Sequence, residues 1–291
     1  MERSPQNRPV FLQDGNEVSF EQARVVVLPV PYEGTVSYGG GASRGPAAII
    51  EASTQIESFN ERMVSVPSTC GIWTEEPLEL PDAPAEQVVR RISERFGQLM
   101  DSGKWVVMLG GEHSITPGGV AAAAARRDRL HVVQLDAHAD LRQSYRDNRW
   151  SHACAMARCL DHATVQGIGI RSYSPEEAEW MRRGIPGYRM TPAWELGRDG
   201  WIDRALEGVD GRPVYLTVDV DYFDPSVIPA TGTPEPGGGT WWPTFELLEA
   251  LFDRADVVAC DVVELAPIPG LHHADFTTAR LVYHLIGLAV R

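Results

Sequence analysis

Residues 131–140 read His131-Val132-Val133-Gln134-Leu135-Asp136-Ala137-His138-Ala139-Asp140. The run opens on β-branched apolar residues, the pattern of a buried strand. It closes on Asp136, His138 and Asp140, spaced two apart. Alternate side chains of an extended chain point to one side, so two carboxylates and an imidazole are expected to converge at the strand's carboxyl end. Ala137 and Ala139 between them are too small to crowd the group. Acids with histidine and no cysteine suit a divalent ion that takes oxygen and nitrogen ligands. A strand that merely frays into a polar loop does not account for three ligand-type residues on one face.

The same grammar extends in both directions. Arg24–Val30 (RVVVLPV) reads as the first strand and runs into the Gly-rich PYEGTVSYGGGASRGP, with Pro46 at a helix start. That loop lacks the GxxxxGK[ST] pattern, so it is read as a segment closing over a site rather than a phosphate cradle. Residues 81–103 carry Val88, Val89, Ile92, Phe96, Leu99 and Met100 at helical spacing, and Trp105–Leu109 is the next strand. It ends in Gly110-Gly111-Glu112-His113-Ser114, which places His113 at a strand-to-helix junction. After Asp140, a polar loop to Ser151 leads into a helix with His152 in its first turn.

Further on, Thr164–Ile170 is a strand, and Ser174-Pro175-Glu176-Glu177 has the cap, proline and acids that open a helix. Residues 203–207 read as a short helix. Val214–Val218 is a strand leading to Asp219 and Asp221, again spaced two apart, and a Pro- and Gly-rich stretch at 225–239 follows. Thr244–Arg254 is helical, Asp256–Val263 is a strand ending at Glu264, and a last helix with Phe276, Ala279, Val282 and Leu285 on its apolar stripe runs to Val290.

Strands alternating with helices argue for an α/β domain with a mainly parallel sheet, expected over 24–291 behind a polar extension at 1–23. Such sheets hold their sites outside the carboxyl ends of the strands. His113, Asp136, His138, Asp140, Asp219, Asp221 and Glu264 all fall there. Six of them are candidate metal ligands: His113, Asp136, His138, Asp140, Asp219 and Asp221. That is too many for one catalytic zinc, which takes about three protein ligands. It suits two ions about 3.5–4 Å apart that share carboxylates and a water. The absence of thiolate favours Mn²⁺.

The chain has 291 residues and a formal net charge of −14, from 40 acidic against 26 basic residues. That balance speaks against nucleic acid and anionic membranes as partners, which need a basic face. Cys70, Cys154, Cys159 and Cys260 form no CxxC pair and read as reduced thiols. The first residues lack the apolar core of a signal peptide, and no run is long enough to span a bilayer, so the expected compartment is the cytoplasm.

GGEHS, DAHAD, SHAC, DVDYFDPS, ATGTPEPGG and DVVELAP, in this order and spacing, resemble the ureohydrolase family of arginase and agmatinase. The resemblance covers nearly the whole chain after about residue 24. It implies a three-layer α/β/α fold with about eight strands. It also implies a hydrolase with two Mn²⁺ per chain that removes urea from a small cationic guanidino compound, and a homo-oligomer, trimer or hexamer. By position, His113, Asp136, Asp140 and Asp221 would hold one ion or bridge, and His138 and Asp219 would complete the set. Glu264 resembles the family carboxylate that pairs with the guanidinium, His152 the proton-shuttle histidine, and Asp140 the acid that holds the nucleophile's proton. SHAC, DAHADLR and Glu235 in GTPEPGG resemble the agmatinase branch, which implies agmatine going to putrescine. N1-aminopropylagmatine, 4-guanidinobutyrate and arginine stay open as substrates, the last two because Arg142, Arg146 and Arg149 precede His152. A metal-binding scaffold without turnover is the reading of another class, and loss of a ligand or of His152 would favour it. None is lost.

Overall fold

The computed structural model describes residues 10–12, 18–81 and 83–291. Among them, eight strands build one sheet: β1 (Val25–Val30), β2 (Ile72–Thr74), β3 (Trp105–Gly110), β4 (His131–Leu135), β5 (Thr164–Ile170), β6 (Tyr188–Pro192), β7 (Pro213–Asp219) and β8 (Asp256–Val263). Their order is β2-β1-β3-β8-β7-β4-β5-β6, and every pairing is parallel. Strands covered on both faces read as near-continuous apolar runs. That is why β1, β3, β4, β7 and β8 are legible from composition.

Helices α1 (Gly45–Ser53), α2 (Ala85–Asp101), α3 (Thr116–Ala124), α4 (Ala155–Cys159), α5 (Pro175–Arg183), α6 (Trp201–Ala205), α7 (Trp241–Arg254) and α8 (His272–Val290) complete the outer layers. The pleat sorts each strand between them. Val25, Val27, Val107 and Leu109 pack with Ile49 of α1, Phe245 of α7 and Leu285 of α8. Val26, Leu28, Val106 and Met108 pack on the other face with Ile92 and Phe96 of α2, Val120 of α3 and Met156 of α4. Each such side chain stabilises the fold by about 1.5–3 kcal/mol on burial, before the cost of ordering it. The expected three-layer α/β/α architecture is therefore the one observed. Phe11 and Leu12, ahead of residue 24, are buried in the first of these layers, where their N–H groups donate to Thr74 Oγ1 and Ser53 Oγ.

Two strands escape a reading of periodicity. β2 has three residues, and β6 reads YRMTP with a part-exposed pattern; both lie at sheet edges. The α7 helix starts at Trp241, three residues ahead of the expected Thr244, because Pro243 is tolerated in a first turn. Trp241 packs against Phe223 and Phe245 with ring centroids 6.1 and 4.5 Å apart, so the residue just before the Pro- and Gly-rich segment meets the helix that follows it. No helix among the described residues is long and apolar enough to cross a membrane.

The chain passes from β3 to β4 across two positions that β8 and β7 fill later. This brings the carboxyl ends of β3, β8, β7 and β4 side by side in mid-sheet. The turn after β3 is closed tightly: Gly111 N–H donates to Val30 O, and Glu112 N–H to Tyr32 O. A Cβ on Gly111 would lie 1.9 Å from Tyr32 O. Gly111→Ala is therefore expected to lower the unfolding free energy by at least about 1–3 kcal/mol, read as a shifted midpoint in urea. A wild-type midpoint would mean that the two loops can separate at no cost.

Candidate metal centre

β4 ends at Leu135, so Asp136, His138 and Asp140 lie beyond the strand rather than along its pleat. Their convergence comes from a tight loop, not from the two-residue alternation that the sequence suggests. Asp136 Oδ1 accepts the His138 N–H at 2.6 Å, and Asp140 adopts φ 51°, a left-handed conformation unusual for a non-glycine residue. Neighbours pin the loop. Gln134 Nε2 donates to Asp136 Oδ2 and His138 O, and Asp140 O accepts the N–H groups of Met156 and Ala157 at the start of α4. Asp219 ends β7, but Asp221 sits on the 3-10 turn Val220–Tyr222, its N–H held by Asp219 Oδ1 at 3.0 Å. Asp221 Oδ1 accepts the Ala137 N–H at 3.0 Å and so joins the β7 and β4 loops.

Two groups of donor atoms result. His113, Asp136 and Asp140 form one, and Asp136, His138 and Asp221 the other, each with its ligand atoms within 4.8 Å of one another. Asp136 belongs to both. Asp219 adjoins the first group, with Oδ2 3.4 Å from His113 Nδ1.

The tautomer of His113 tests whether a cation fits. Thr217 Oγ1 donates its one proton to Asp261 Oδ1 at 2.5 Å, so it must accept from His113 Nε2 at 2.9 Å. Nδ1 is then the nitrogen left to hold a second proton or a cation. It is buried without a hydrogen-bond partner among the described residues, 3.1 Å from both Asp136 Oδ2 and Asp140 Oδ2. Facing three carboxylates, it needs positive charge there: a second proton, which Asp136 and Asp140 favour despite the burial of His113, or a cation. A divalent cation would supply it in place of protons, and oxygen and nitrogen donors without thiolate suit Mn²⁺.

The titration behaviour follows. Burial and then repulsion from Asp221 push the Asp136 carboxyl up, and burial with the charges of Asp221 and Asp136 does the same to Asp219. Burial opposes charge on His138, but the nearby Asp221 carboxylate outweighs it and pushes His138 up to about 10. Asp221 is held down despite burial, because His138 and the Ala137 N–H favour its charged form.

A cavity of about 320 Å³ opens over the cluster. Seven of the eight site residues expected from sequence line it; Asp136 lies fully buried beneath. Glu264 reaches the cavity from the end of β8 with φ 66°, and its Oε1 accepts the His113 N–H at 2.7 Å. Burial, reinforced by the charge of Glu112, pushes its carboxyl up. His152 enters from the 3-10 turn His152–Cys154. The Gly-rich loop lines one wall through Val36, Ser37, Tyr38 and Gly39, as expected of a segment that covers a site. Of the three loop arginines only Arg142 reaches the cavity, and it lies 3.8 Å from Glu177 and over the Tyr145 ring.

Four supporting residues went unassigned in the sequence: Glu112, Thr217, Asp261 and Glu177. Asp261 left a signal, a charged residue inside an otherwise apolar strand. Glu177 left another, since the capping-box acid of α5 also accepts the Leu141 N–H at 2.9 Å.

A model of the arginase family matches residues 23–288. The chain is 37% identical over 286 residues to N(1)-aminopropylagmatine ureohydrolase of Synechocystis sp., covering 95% of this chain and 92% of that protein. It is 39% identical over 274 residues to a protein of the same name from Thermus thermophilus, covering 94% and 92%. The crystal structure of agmatine ureohydrolase of Thermoplasma volcanium superimposes with a TM-score of 0.85 at 33% identity, covering 94% of this chain and 92% of that one.

Protons would compete with a cation for this cluster. His138, raised to about 10, and the raised Asp136 and Asp219 carboxyls hold protons that a cation must displace, so affinity rises with pH. Manganese titrations are expected to give a Kd at least about tenfold tighter near pH 8 than near pH 6, with about two ions bound per chain. A pH-independent affinity would show that the imidazoles are not ligands. His138→Asn should weaken one of the two binding steps far more than the other, since His138 belongs to only one donor group.

Proposed function

The chain belongs to the arginase family, and on that premise we propose that it splits agmatine into urea and putrescine at a pair of Mn²⁺ ions. The observation that carries the reading is the pair of donor groups sharing Asp136, beneath a cavity that also exposes the Glu264 carboxylate. His113, Asp136, Asp140 and Asp219 would hold one ion, and Asp136, His138 and Asp221 the other. Bound there, the ions would supply the Lewis acidity that makes hydroxide available near neutral pH.

The side chains do the rest. Glu264 pairs with the planar guanidinium and aims its carbon at the cluster. One of its oxygens is anchored by the His113 N–H, which leaves the other free for the substrate. Pairing with a cation favours ionised Glu264 and so offsets the burial that raises it. Asp140, held by its left-handed backbone, keeps the nucleophile's proton and passes it to the leaving amine. His152 moves protons between the cavity and solvent. Four carboxylates balance two dications, so a cationic substrate meets little repulsion.

A guanidino amine fits better than a guanidino acid. The one arginine of residues 142–149 that lines the cavity has Glu177 beside it, which offsets the charge a substrate carboxylate would need. A second reading, N1-aminopropylagmatine, is favoured by the relatives of that name at 37% and 39% identity. Tyr38 and Tyr173 on the cavity wall offer faces for its longer alkylammonium tail. Urea release by the Mn²⁺-loaded protein should be fastest with one of these two amines. Arginine and 4-guanidinobutyrate complete the panel, and a clear preference for either would overturn the amine assignment. We propose also that the chain acts in the cytoplasm as a trimer or hexamer. Light scattering that showed a fully active monomer would rule out that assembly.

Glu264→Gln keeps shape and removes charge. Losing a buried charge-assisted pair costs about 2–5 kcal/mol, so activity should fall well over tenfold while metal content stays near wild type. Metal loss would instead make Glu264 a ligand. His152→Asn should slow turnover with a smaller effect on KM, since a proton shuttle acts in the transition state.

A further inference from the structure

His152 is held by Thr35, and Thr35 is held in turn by Glu112. The Nδ1 of His152 lies 3.0 Å from Thr35 Oγ1, and its backbone N–H donates to the same oxygen at 3.0 Å. Thr35 in turn makes two contacts with one carboxylate: its hydroxyl reaches Glu112 Oε1 and its N–H reaches Oε2, both at 2.8 Å. Glu112 is fully buried just past β3 and accepts a further hydrogen bond from Ser114 Oγ.

Counting protons settles the ring. A carboxylate with three donors around it only accepts, so the single hydroxyl proton of Thr35 points at Glu112. The hydroxyl oxygen then offers His152 nothing but lone pairs. A bare Nδ1 at 3.0 Å would set lone pair against lone pair, so Nδ1 carries the proton. Among the described residues, the other contact of Nδ1, with Ser151 Oγ at 3.5 Å, is too long to compete. Nε2 is therefore the basic nitrogen, and its neighbour among those residues is Ser37 Oγ, also at 3.5 Å.

We propose that Glu112, acting through Thr35, is a positioning pair that fixes the tautomer and orientation of His152, so that Nε2 is the atom exchanging protons in the cavity. Nε2 accepts one proton and later returns it, while the Nδ1–H bond to Thr35 stays in place and no other bond changes. The device also ties shuttle to metal centre, because β3 delivers Glu112 and His113 as consecutive residues. The inference rests on the proton-carrying role of His152 proposed above, and the tests separate the two.

In the Mn²⁺-loaded protein, Thr35→Val removes the hydroxyl at nearly constant volume. It should lower kcat about 10- to 100-fold, with KM and metal content close to wild type, and displace the pH profile of kcat. Thr35→Ser keeps the hydroxyl and should recover most of the rate. An unchanged kcat and pH profile in Thr35→Val, or a Thr35→Ser variant as slow as Thr35→Val, would overturn the proposal. Neutron diffraction from crystals of the Mn²⁺-loaded wild-type protein reads the same point with no substrate and no variant. A deuteron on Nδ1 facing Thr35 supports the pair, and a deuteron on Nε2 with Nδ1 bare overturns it. If the wild-type protein releases urea from no guanidino compound, the proposed function fails, and the neutron result still decides the tautomer.

Discussion

Four buried aspartates, Asp136, Asp140, Asp219 and Asp221, meet two imidazoles at the carboxyl end of one sheet, and their mutual repulsion is the constraint the rest of the molecule answers to. Removing a carboxylate from water costs several kcal/mol, and each like-charged neighbour adds to it. The protein offsets part of this with backbone donors: Ala137 N–H on Asp221, His138 N–H on Asp136, and Asp221 N–H on Asp219. Donors of this strength stabilise a charge but do not neutralise four of them. The cluster must therefore take up protons or cations. His113 Nδ1, turned into three carboxylates, is where either a proton or a cation can answer that charge.

A cluster of this kind must be rigid before it binds anything, since side chains free to move would swing apart. The rigidity comes from loops bonded to one another rather than from the strands themselves. Asp221 joins the β7 loop to the β4 loop, Glu264 joins the end of β8 to the His113 backbone, and Glu112 joins β3 to the Gly-rich loop through Thr35. That last loop is also held from within, because Glu33 accepts the N–H groups of Gly41 and Ser43. It forms one wall of the cavity. Asp140 and Glu264 both occupy the left-handed region at φ 51° and 66°, and the surrounding bonds bear the cost of that strain.

One pattern recurs under the site. His113 and His152 each give one ring nitrogen to a threonine hydroxyl whose proton is committed to a buried acid: Thr217 with Asp261, and Thr35 with Glu112. In both cases the acid and the threonine select the tautomer, and the other nitrogen is left for chemistry. An ordinary hydrogen bond contributes about 0.5–1.5 kcal/mol to stability. Its larger effect here is to choose which atom faces the cavity.

Much of this was legible in the residues themselves. Six inner strands were read, five as apolar runs and Thr164–Ile170 besides, and each acid or histidine just past a run marked a candidate ligand, because buried parallel strands and their carboxyl-end sites leave local signatures. The edge strands β2 and β6 left none, being short or half polar. The relays through Thr35 and Thr217 left none either, since 77 residues separate Thr35 from Glu112 and 44 separate Thr217 from Asp261. The sequence by itself determined the alternating α/β class and the kind of ligands at the strand ends, because hydrophobic period and side-chain chemistry are local properties. Only the tertiary structure decided that β3, β8, β7 and β4 stand side by side, that the ligands converge through tight loops rather than pleats, and which nitrogen of each histidine faces the cavity, because strand order and hydrogen-bond partners are set by contacts between residues far apart in the chain.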